Sequence, residues 1–212
     1  MKKTLFLIGA ACLFAVGAKA QVSYGVKAGV NLPKQVVKLS GSGATGSVDV
    51  GSTTSFYVSG YANIPAATNF SIQPGIALQG KGGKLDFSEF DMENTTQNIL
   101  SLDIPINAVY TIPAGQSGAV FIGAGPYVGY HLSGKVKQGD QSLDMSFGDA
   151  PEDVKRFDYG ANFQLGYKLS NGFLIHGNYG LGLADLTNFP EVDNLSIKGY
   201  NRVLSFGIGY EF

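Results

Sequence analysis

The sequence predicts an all-β fold: an eight-stranded, antiparallel, up-and-down transmembrane β-barrel. Three observations predict it. Apolar side chains alternate with period two along eight segments, the opposite face carries small polar side chains, and long polar connections alternate with short turns. Charged residues make up only 15% of the chain and glycines number 30, a composition that does not suit a water-exposed surface.

The first twenty residues are typical of a secretory signal peptide. A basic start precedes a short apolar run, and Ala18 and Ala20 frame a cleavage site before Gln21. The run is too short for a membrane helix. We therefore expect a leader over residues 1–20 and one barrel domain over residues 21–212. The alternative is a lipoprotein, because the only cysteine lies in the leader, but the residues before that cysteine lack the usual leucine.

The composition of the expected mature chain excludes several classes of protein. Loss of the leader removes the only cysteine and three lysines from a chain of 15 basic and 16 acidic residues, so the mature chain is mildly acidic and has no disulfides. A nucleic-acid partner is not expected, because nucleic-acid binders carry a strong basic patch. Two histidines without cysteine give no metal-ligand spacing, and we expect neither a metal nor a cofactor.

The first four strands are each predicted from an alternating pattern. In residues 22–32, valine, tyrosine and leucine alternate with serine, glycine, lysine and asparagine. Residues 55–64 place phenylalanine, valine and isoleucine opposite serine, tyrosine and asparagine. Residues 70–79 set isoleucine and leucine against serine and glutamine, and residues 100–110 set leucine, isoleucine and tyrosine against serine, aspartate and asparagine. Such alternation indicates strands with one apolar face.

The last four strands follow the same rule. Residues 119–132 are apolar on both faces, and we expect valine, isoleucine, tyrosine and leucine to point outward. Residues 157–169 and 173–183 set aromatic and aliphatic side chains against glycine, asparagine, glutamine and single charged residues. Residues 202–212 close the chain with large apolar side chains opposite serine, glycine and glutamate. Eight strands result.

The connections between these strands alternate in length. Residues 33–52, 81–96, 133–155 and 185–199 are expected to be long polar loops, and residues 66–69, 113–118 and 170–172 to be short turns. Outer-membrane barrels have short periplasmic turns and longer extracellular loops. Four long loops and three short turns fit eight strands with both chain ends in the periplasm.

The face opposite the apolar one is predicted to line the lumen. It is rich in glycine, serine, asparagine and glutamine, which suit the narrow interior of an eight-stranded barrel, so the apolar face looks into lipid. The ionisable residues assigned to the lumen are Lys27, Asp103, Asp158, Lys168, His176 and Glu211. Buried charges need partners, so we expect a polar network in which Asp103 pairs with a lumen lysine. The bulky lumen residues Tyr57, Tyr61, Phe121 and Tyr127 favour a plugged interior.

Aromatic residues near the strand ends predict two membrane interfaces. One girdle comprises Tyr24, Phe70, Tyr110, Tyr167, Phe173, Tyr210 and Phe212, and the other comprises Phe56, Tyr130, Tyr159 and Tyr200. Arg202, near the outer rim, is expected to extend toward lipid phosphate.

Four stretches resemble strands of a known family. "SLDIPINAVYTI", "FIGAGPYVGYHL", "NYGLGLADL" and "NRVLSFGIGYEF" are similar to strands of the eight-stranded outer-membrane β-barrel domain family of Gram-negative bacteria, described as PorT-like or as OmpA/OmpX-like small barrels. The resemblance implies a bacterial outer-membrane location, contact with outer-membrane lipid and lipopolysaccharide, and a terminal signal for the barrel-assembly machinery, to which Tyr210 and Phe212 correspond.

The sequence predicts no enzyme and favours a structural or surface-interaction role through the extracellular loops, with an extracellular or envelope protein as partner. Five apolar residues lie among the loop carboxylates: Phe87, Phe90, Met92, Met145 and Phe147. We expect them to extend the strands above the membrane and pack locally, and the alternative is that they form an adhesive or partner-binding surface. Alternatives are a narrow pore for ions or small solutes and a PorT-like component of an export or assembly system. A hydrolase would need a serine or acid beside His131 or His176, and no catalytic motif is present.

Overall fold

The computed structural model describes residues 21–41, 44–49, 51–85, 94–139, 141–151, 153–189 and 196–212. The predicted leader and the loop residues Phe87, Phe90 and Met92 lie outside these ranges. Within them, no helix is long and apolar enough to cross a membrane.

Ten strands occur in the described residues. They are β1 (Ser23–Gly41), β2 (Ala44–Asp49), β3 (Ser55–Ala67), β4 (Phe70–Leu85), β5 (Thr95–Pro113), β6 (Gly118–Gln138), β7 (Gln141–Asp144), β8 (Phe157–Leu169), β9 (Phe173–Gly182) and β10 (Ser196–Glu211). All pair antiparallel in one sheet.

Eight of these strands close into a barrel. The order is β1, β3, β4, β5, β6, β8, β9 and β10, and β10 pairs back onto β1 from Gly25 opposite Glu211 to Ser40 opposite Ser196. Closure leaves these strands without an unpaired edge, which a membrane requires. The structure confirms the antiparallel up-and-down fold and adds two short strands, β2 and β7, which pair with the outer ends of β1 and β6.

The predicted long loops are wrong in extent. β1 continues to Gly41, β4 continues to Leu85, and β6 continues to Gln138, so much of three predicted loops is paired strand. These extensions lack apolar alternation because they project beyond the lipid and need no apolar face. The three short turns lie where they were predicted, and Asn69 adopts a positive φ of 60° in the first of them.

The two faces of the strands are as predicted. Outward apolar side chains are exposed, for example Tyr24 at 62% and Ile208 at 63%, while Lys27, Asp103 and Asp158 on the other face are buried. Exposure of large apolar side chains over the whole outer wall is expected when the surrounding medium is lipid.

Glycines in the lumen make room for aromatic rings. A Cβ at Gly25 would overlap the ring of Tyr61, and a Cβ at Gly166 would overlap the ring of Phe121. Phe121 also packs with Val109 and Leu174 in a small apolar cluster. A few large side chains therefore fill the bore, and they pack against positions of the wall where glycine leaves room for them.

Candidate functional site

The outer half of the lumen contains a buried ion-pair cluster of three residues. Lys81 Nζ lies 2.8 Å from Asp103 Oδ2 and 2.9 Å from Asp158 Oδ2. The three side chains are 1%, 3% and 0% exposed, so water does not screen their charges. β4, β5 and β8 each supply one member, and the cluster joins three parts of the wall across the bore.

Neutral groups also donate to both carboxylates, although Asp158 Oδ1 has no hydrogen-bond partner among the described residues. Ser101 Oγ and Gln79 Nε2 donate to Asp103. Asp158 Oδ2 accepts from Tyr127 at 3.1 Å and from Asn201 at 3.2 Å. The Tyr127 ring also lies 4.7 Å from Lys81 Nζ. These donors offset the cost of removing two carboxylates from water.

A second polar cluster occupies the periplasmic end of the lumen. Lys168 Nζ lies 2.6 Å from Glu211 Oε1, and their side chains are 33% and 9% exposed. Tyr61 donates to Glu211 Oε2 at 3.0 Å, and Ser23 donates to Glu211 Oε1 at 3.1 Å. This cluster is open to solvent on one side, in contrast to the outer one.

Lys27 lies between the two clusters and belongs to neither. Its Nζ donates to Gln164 Oε1 at 2.8 Å and lies over the rings of Tyr61 and Phe121, at 4.6 and 5.4 Å from their centroids. Within the described part of the chain, no ion pair includes Lys27. Gln164 continues the network by donating to Gln73.

The two histidines do not form a hydrolytic site in the described residues. His176 Nε2 and Tyr57 OH are 2.9 Å apart, and His131 Nδ1 hydrogen-bonds the carbonyl of Lys155 at 2.9 Å. Neither is hydrogen-bonded to a serine or a carboxylate there, so the nucleophile and orienting acid of a triad are not assembled. The described ranges also contain no group of three His, Cys, Asp or Glu that would hold a metal ion.

Two small cavities remain in the described lumen. They measure about 80 and 20 Å³, and Lys27, Tyr61 and Gln73 line both. Each is large enough for one or a few water molecules and too small for a solute of ordinary size. The larger cavity separates Lys27 from the ion-pair cluster of Lys81, because Asp103 and Lys81 also line it.

The segment after β7 folds back over the outer mouth. The Met145 amide donates to the Gly134 carbonyl at 2.9 Å, and the His131 amide donates to the Arg156 carbonyl at 2.8 Å. The Phe147 ring lies 5.8 Å from the His131 ring. Met145 and Phe147 are half-buried over the buried His131, in agreement with the prediction that these residues pack locally above the membrane.

The structure places all six predicted lumen residues on the inward face. Asp103 and Asp158 come together, Lys168 and Glu211 come together, and Lys27 and His176 lie apart from both pairs. The loop predicted over residues 81–96 includes Lys81, but the structure places Lys81 in β4, at the centre of the outer cluster. The signal was present, because Lys81 continues the inward parity of Gln73 and Gln79 by one more step.

Comparison with known proteins agrees with this architecture. A family model for the outer membrane protein beta-barrel domain matches residues 16–188. The chain belongs to this family. Its location is accordingly the bacterial outer membrane. No curated protein matches the chain.

Several solved barrels are similar in fold, at low sequence identity. The outer membrane protein OprG from Pseudomonas aeruginosa is 11% identical, with 91% of this chain and 97% of that chain covered and a TM-score of 0.48. Neisserial surface protein A is 14% identical, with 91% and 99% covered and a TM-score of 0.45. The outer membrane protease OmpT from Escherichia coli is 10% identical, with 90% and 97% covered and a TM-score of 0.43.

Proposed function

We propose that this barrel is a closed, non-catalytic surface-interaction protein that presents its outer strand extensions to an extracellular or envelope protein. The observation that carries the proposal is the filled lumen. The cluster of Lys81, Asp103 and Asp158 bridges three strands in the outer half of the bore, and the cavities found below it among the described residues are small. A rigid, blocked barrel suits a scaffold better than a conduit.

The length of the strands supports an interaction role. A strand needs about 9–11 residues to cross the membrane. β5 has 19 residues and β6 has 21, and β7 extends the same sheet, so a rigid paired surface stands above the lipid. Leu143 and Phe189 in the outer segments are 69% and 55% exposed, as contact residues would be.

The end of the last strand bears on the expected biogenesis. We infer that residues 1–20 are a leader removed before Gln21, and that Tyr210 and Phe212 form the signal for the barrel-assembly machinery. Phe212 is 74% exposed, and its ring stacks edge-on against Tyr210 with centroids 5.0 Å apart. Phe212 is exposed and Tyr210 is half-buried, so the Phe212 ring is accessible to a partner.

A narrow pore is the second candidate. The two cavities lie on either side of a shared group of residues, and a movement of Lys27 away from Gln164 would connect them. This candidate requires the outer ion-pair cluster to open as well.

Single-channel recording in planar bilayers tests the proposal. Protein purified from outer membranes in detergent is inserted, and we expect no discrete conductance steps from the folded wild type. Lys27→Ala, which enlarges the cavities but leaves the Lys81 cluster intact, is expected to stay silent, and Lys137→Ala on the exposed end of β6 is its matched control. Reproducible steps from the wild type would contradict the closed barrel and support the pore.

A further inference from the structure

Three adjacent strand pairs of the barrel wall are interrupted near the middle of the membrane. Each interruption lacks two residue pairs of the ladder, and one of those two contains a proline: Ala62 with Pro74 in β3–β4, Gly75 with Pro105 in β4–β5, and Ile106 with Pro126 in β5–β6. The register is the same on both sides of each interruption, so the strands stay side by side there. Each of the three prolines lies midway along the apolar band of its strand. We call Pro74, Pro105 and Pro126 the proline seam.

Proline itself explains each interruption. Its nitrogen carries no hydrogen, so a proline inside a sheet removes one hydrogen bond of the ladder and leaves a carbonyl of the adjacent strand without its usual donor. The other five strand pairs of the barrel are continuous over the described residues: β1–β3, β6–β8, β8–β9, β9–β10 and β1–β10. The missing bonds are therefore confined to one side of the wall.

A gap in the ladder is costly inside a membrane. Hydrocarbon offers no hydrogen-bond donor, and irregular backbone at membrane depth is tolerated only where it is buried in protein or lines a water-filled cavity. The larger lumen cavity, of about 80 Å³, lies directly behind the seam, because Gly75, Pro105 and Asn107 line it. Tyr61 and Tyr127 line it as well, and they are the cross-strand partners of Gly75 and Pro105.

The same cavity has the size and the chemistry of a water site. One water molecule needs at least about 10–15 Å³ of such volume and two to four polar partners, so the cavity has room for several. Asn107 Oδ1 is buried without a hydrogen-bond partner among the described residues. Ser59 and Asn162 also line the cavity, and within the described part of the chain their side chains make no hydrogen bond. The second cavity extends from this one to the partly exposed Lys168 at the periplasmic end, which gives water a route inward.

We propose that the larger cavity is a site for ordered water, and that this water supplies hydrogen bonds that the proline seam withholds from the wall. The polar lining selects water over a lipid acyl chain, because hydrocarbon would leave the acceptor of Asn107 buried and unpaired. A cavity persists in an otherwise filled bore because the wall beside it depends on its contents. The proposal goes beyond the interaction role of the outer strands and does not depend on it.

Nuclear magnetic resonance of the isotope-labelled protein, purified from outer membranes and placed in lipid nanodiscs, tests this assignment. The experiment measures magnetisation transfer to backbone amides from water and from lipid acyl chains, together with the rate of amide exchange in deuterated water. We expect the amides of the interrupted pairs to receive transfer from water. They should also exchange about tenfold or more faster than amides midway along the continuous β8–β9 pair, such as Leu165 opposite Gly177.

A matched pair of variants tests whether proline is the cause. Pro105→Val supplies a backbone N–H to the seam, so we expect slower amide exchange in the β4–β5 pair and a weaker water signal there. Pro33→Val is the control, because Pro33 is also buried but lies opposite Val203 within the continuous β1–β10 ladder. The control should leave exchange and the water signal at the seam unchanged.

The wild type alone is able to refute the proposal. Equal exchange rates in the seam and in the β8–β9 pair, or transfer to the seam from acyl chains in place of water, would overturn it. The variants provide a second refutation, since an unchanged water signal in Pro105→Val, or an equal change in Pro33→Val, would show that the missing N–H does not create the site.

Discussion

The two ion-pair clusters of the lumen use the same chemistry in different surroundings. Lys81 sits between Asp103 and Asp158 with side-chain exposures of 3% or less, whereas Lys168 meets Glu211 with a third of its own side chain exposed. The distances are similar, so geometry does not distinguish them. The two clusters differ in their access to water. The comparison indicates that burial determines how much the stability of the fold depends on each ion pair.

The largest expected effect comes from breaking the buried cluster. Lys81→Met leaves two carboxylates buried without a cation, and we expect it to lower the free energy of unfolding by about 3–5 kcal/mol, the usual cost of removing one partner of a buried pair. Urea titration of the protein in detergent, followed by circular dichroism, measures this change.

A compensating variant shows whether charge causes the loss. Lys81→Met combined with Asp103→Asn and Asp158→Asn removes all three charges and should recover much of the stability, because buried ion networks replaced as a unit are often nearly neutral. If the triple variant is as unstable as Lys81→Met alone, packing and not charge holds this part of the lumen.

An intermediate effect is expected at Tyr127. Tyr127→Phe keeps the ring near Lys81 but removes the hydroxyl that donates to Asp158. Loss of one hydrogen bond to a buried charge should cost about 1–3 kcal/mol, measured by the same titration. Tyr130→Phe, on the lipid-facing side of the same strand, is the control and should cost much less.

The smallest effect is expected at the periplasmic cluster. Lys168→Met should cost at most about 1 kcal/mol, because solvent screens a partly exposed ion pair. Urea titrations at low and high sodium chloride should find this small cost vanishing at high salt, while the cost of Lys81→Met changes little. A loss at Lys168 equal to that at Lys81 would refute the distinction based on burial.

The sequence predicted the barrel wall better than its outer extensions. Period-two alternation gave the correct face for Lys27, Asp158 and Glu211, because lipid on one side and a narrow lumen on the other impose opposite demands on alternate residues. Beyond the membrane no lipid contacts the strands, so outward residues need not be apolar and the alternation is lost. Strands such as β6 continue there because their backbones remain hydrogen-bonded to neighbouring strands.

The partners within the lumen were only partly predictable. The alternation along a strand shows which residues face inward. Which inward residues meet depends on the register between strands that are distant in sequence, as in the contact of Lys81 on β4 with Asp158 on β8. The like-charge pairs of β1 and β10 were invisible for the same reason, because Lys38 and Lys198 meet only when the last strand joins the first. The sequence predicts that Arg202 extends toward lipid phosphate, but it does not predict that Arg202 lies opposite Lys34.

The seam between β1 and β10 also sets the order in which the chain is able to fold. Gly25 pairs with Glu211, so residues from the two ends of the barrel domain must meet before the edges of both strands are satisfied. Successive barrel strands are joined by short turns or by outer connections, whereas this closure joins the two strands that are farthest apart in sequence and so carries the largest loop entropy of any strand pair. Closure of the barrel therefore waits for β10, and until β10 pairs, the edge of β1 is exposed to any competing strand.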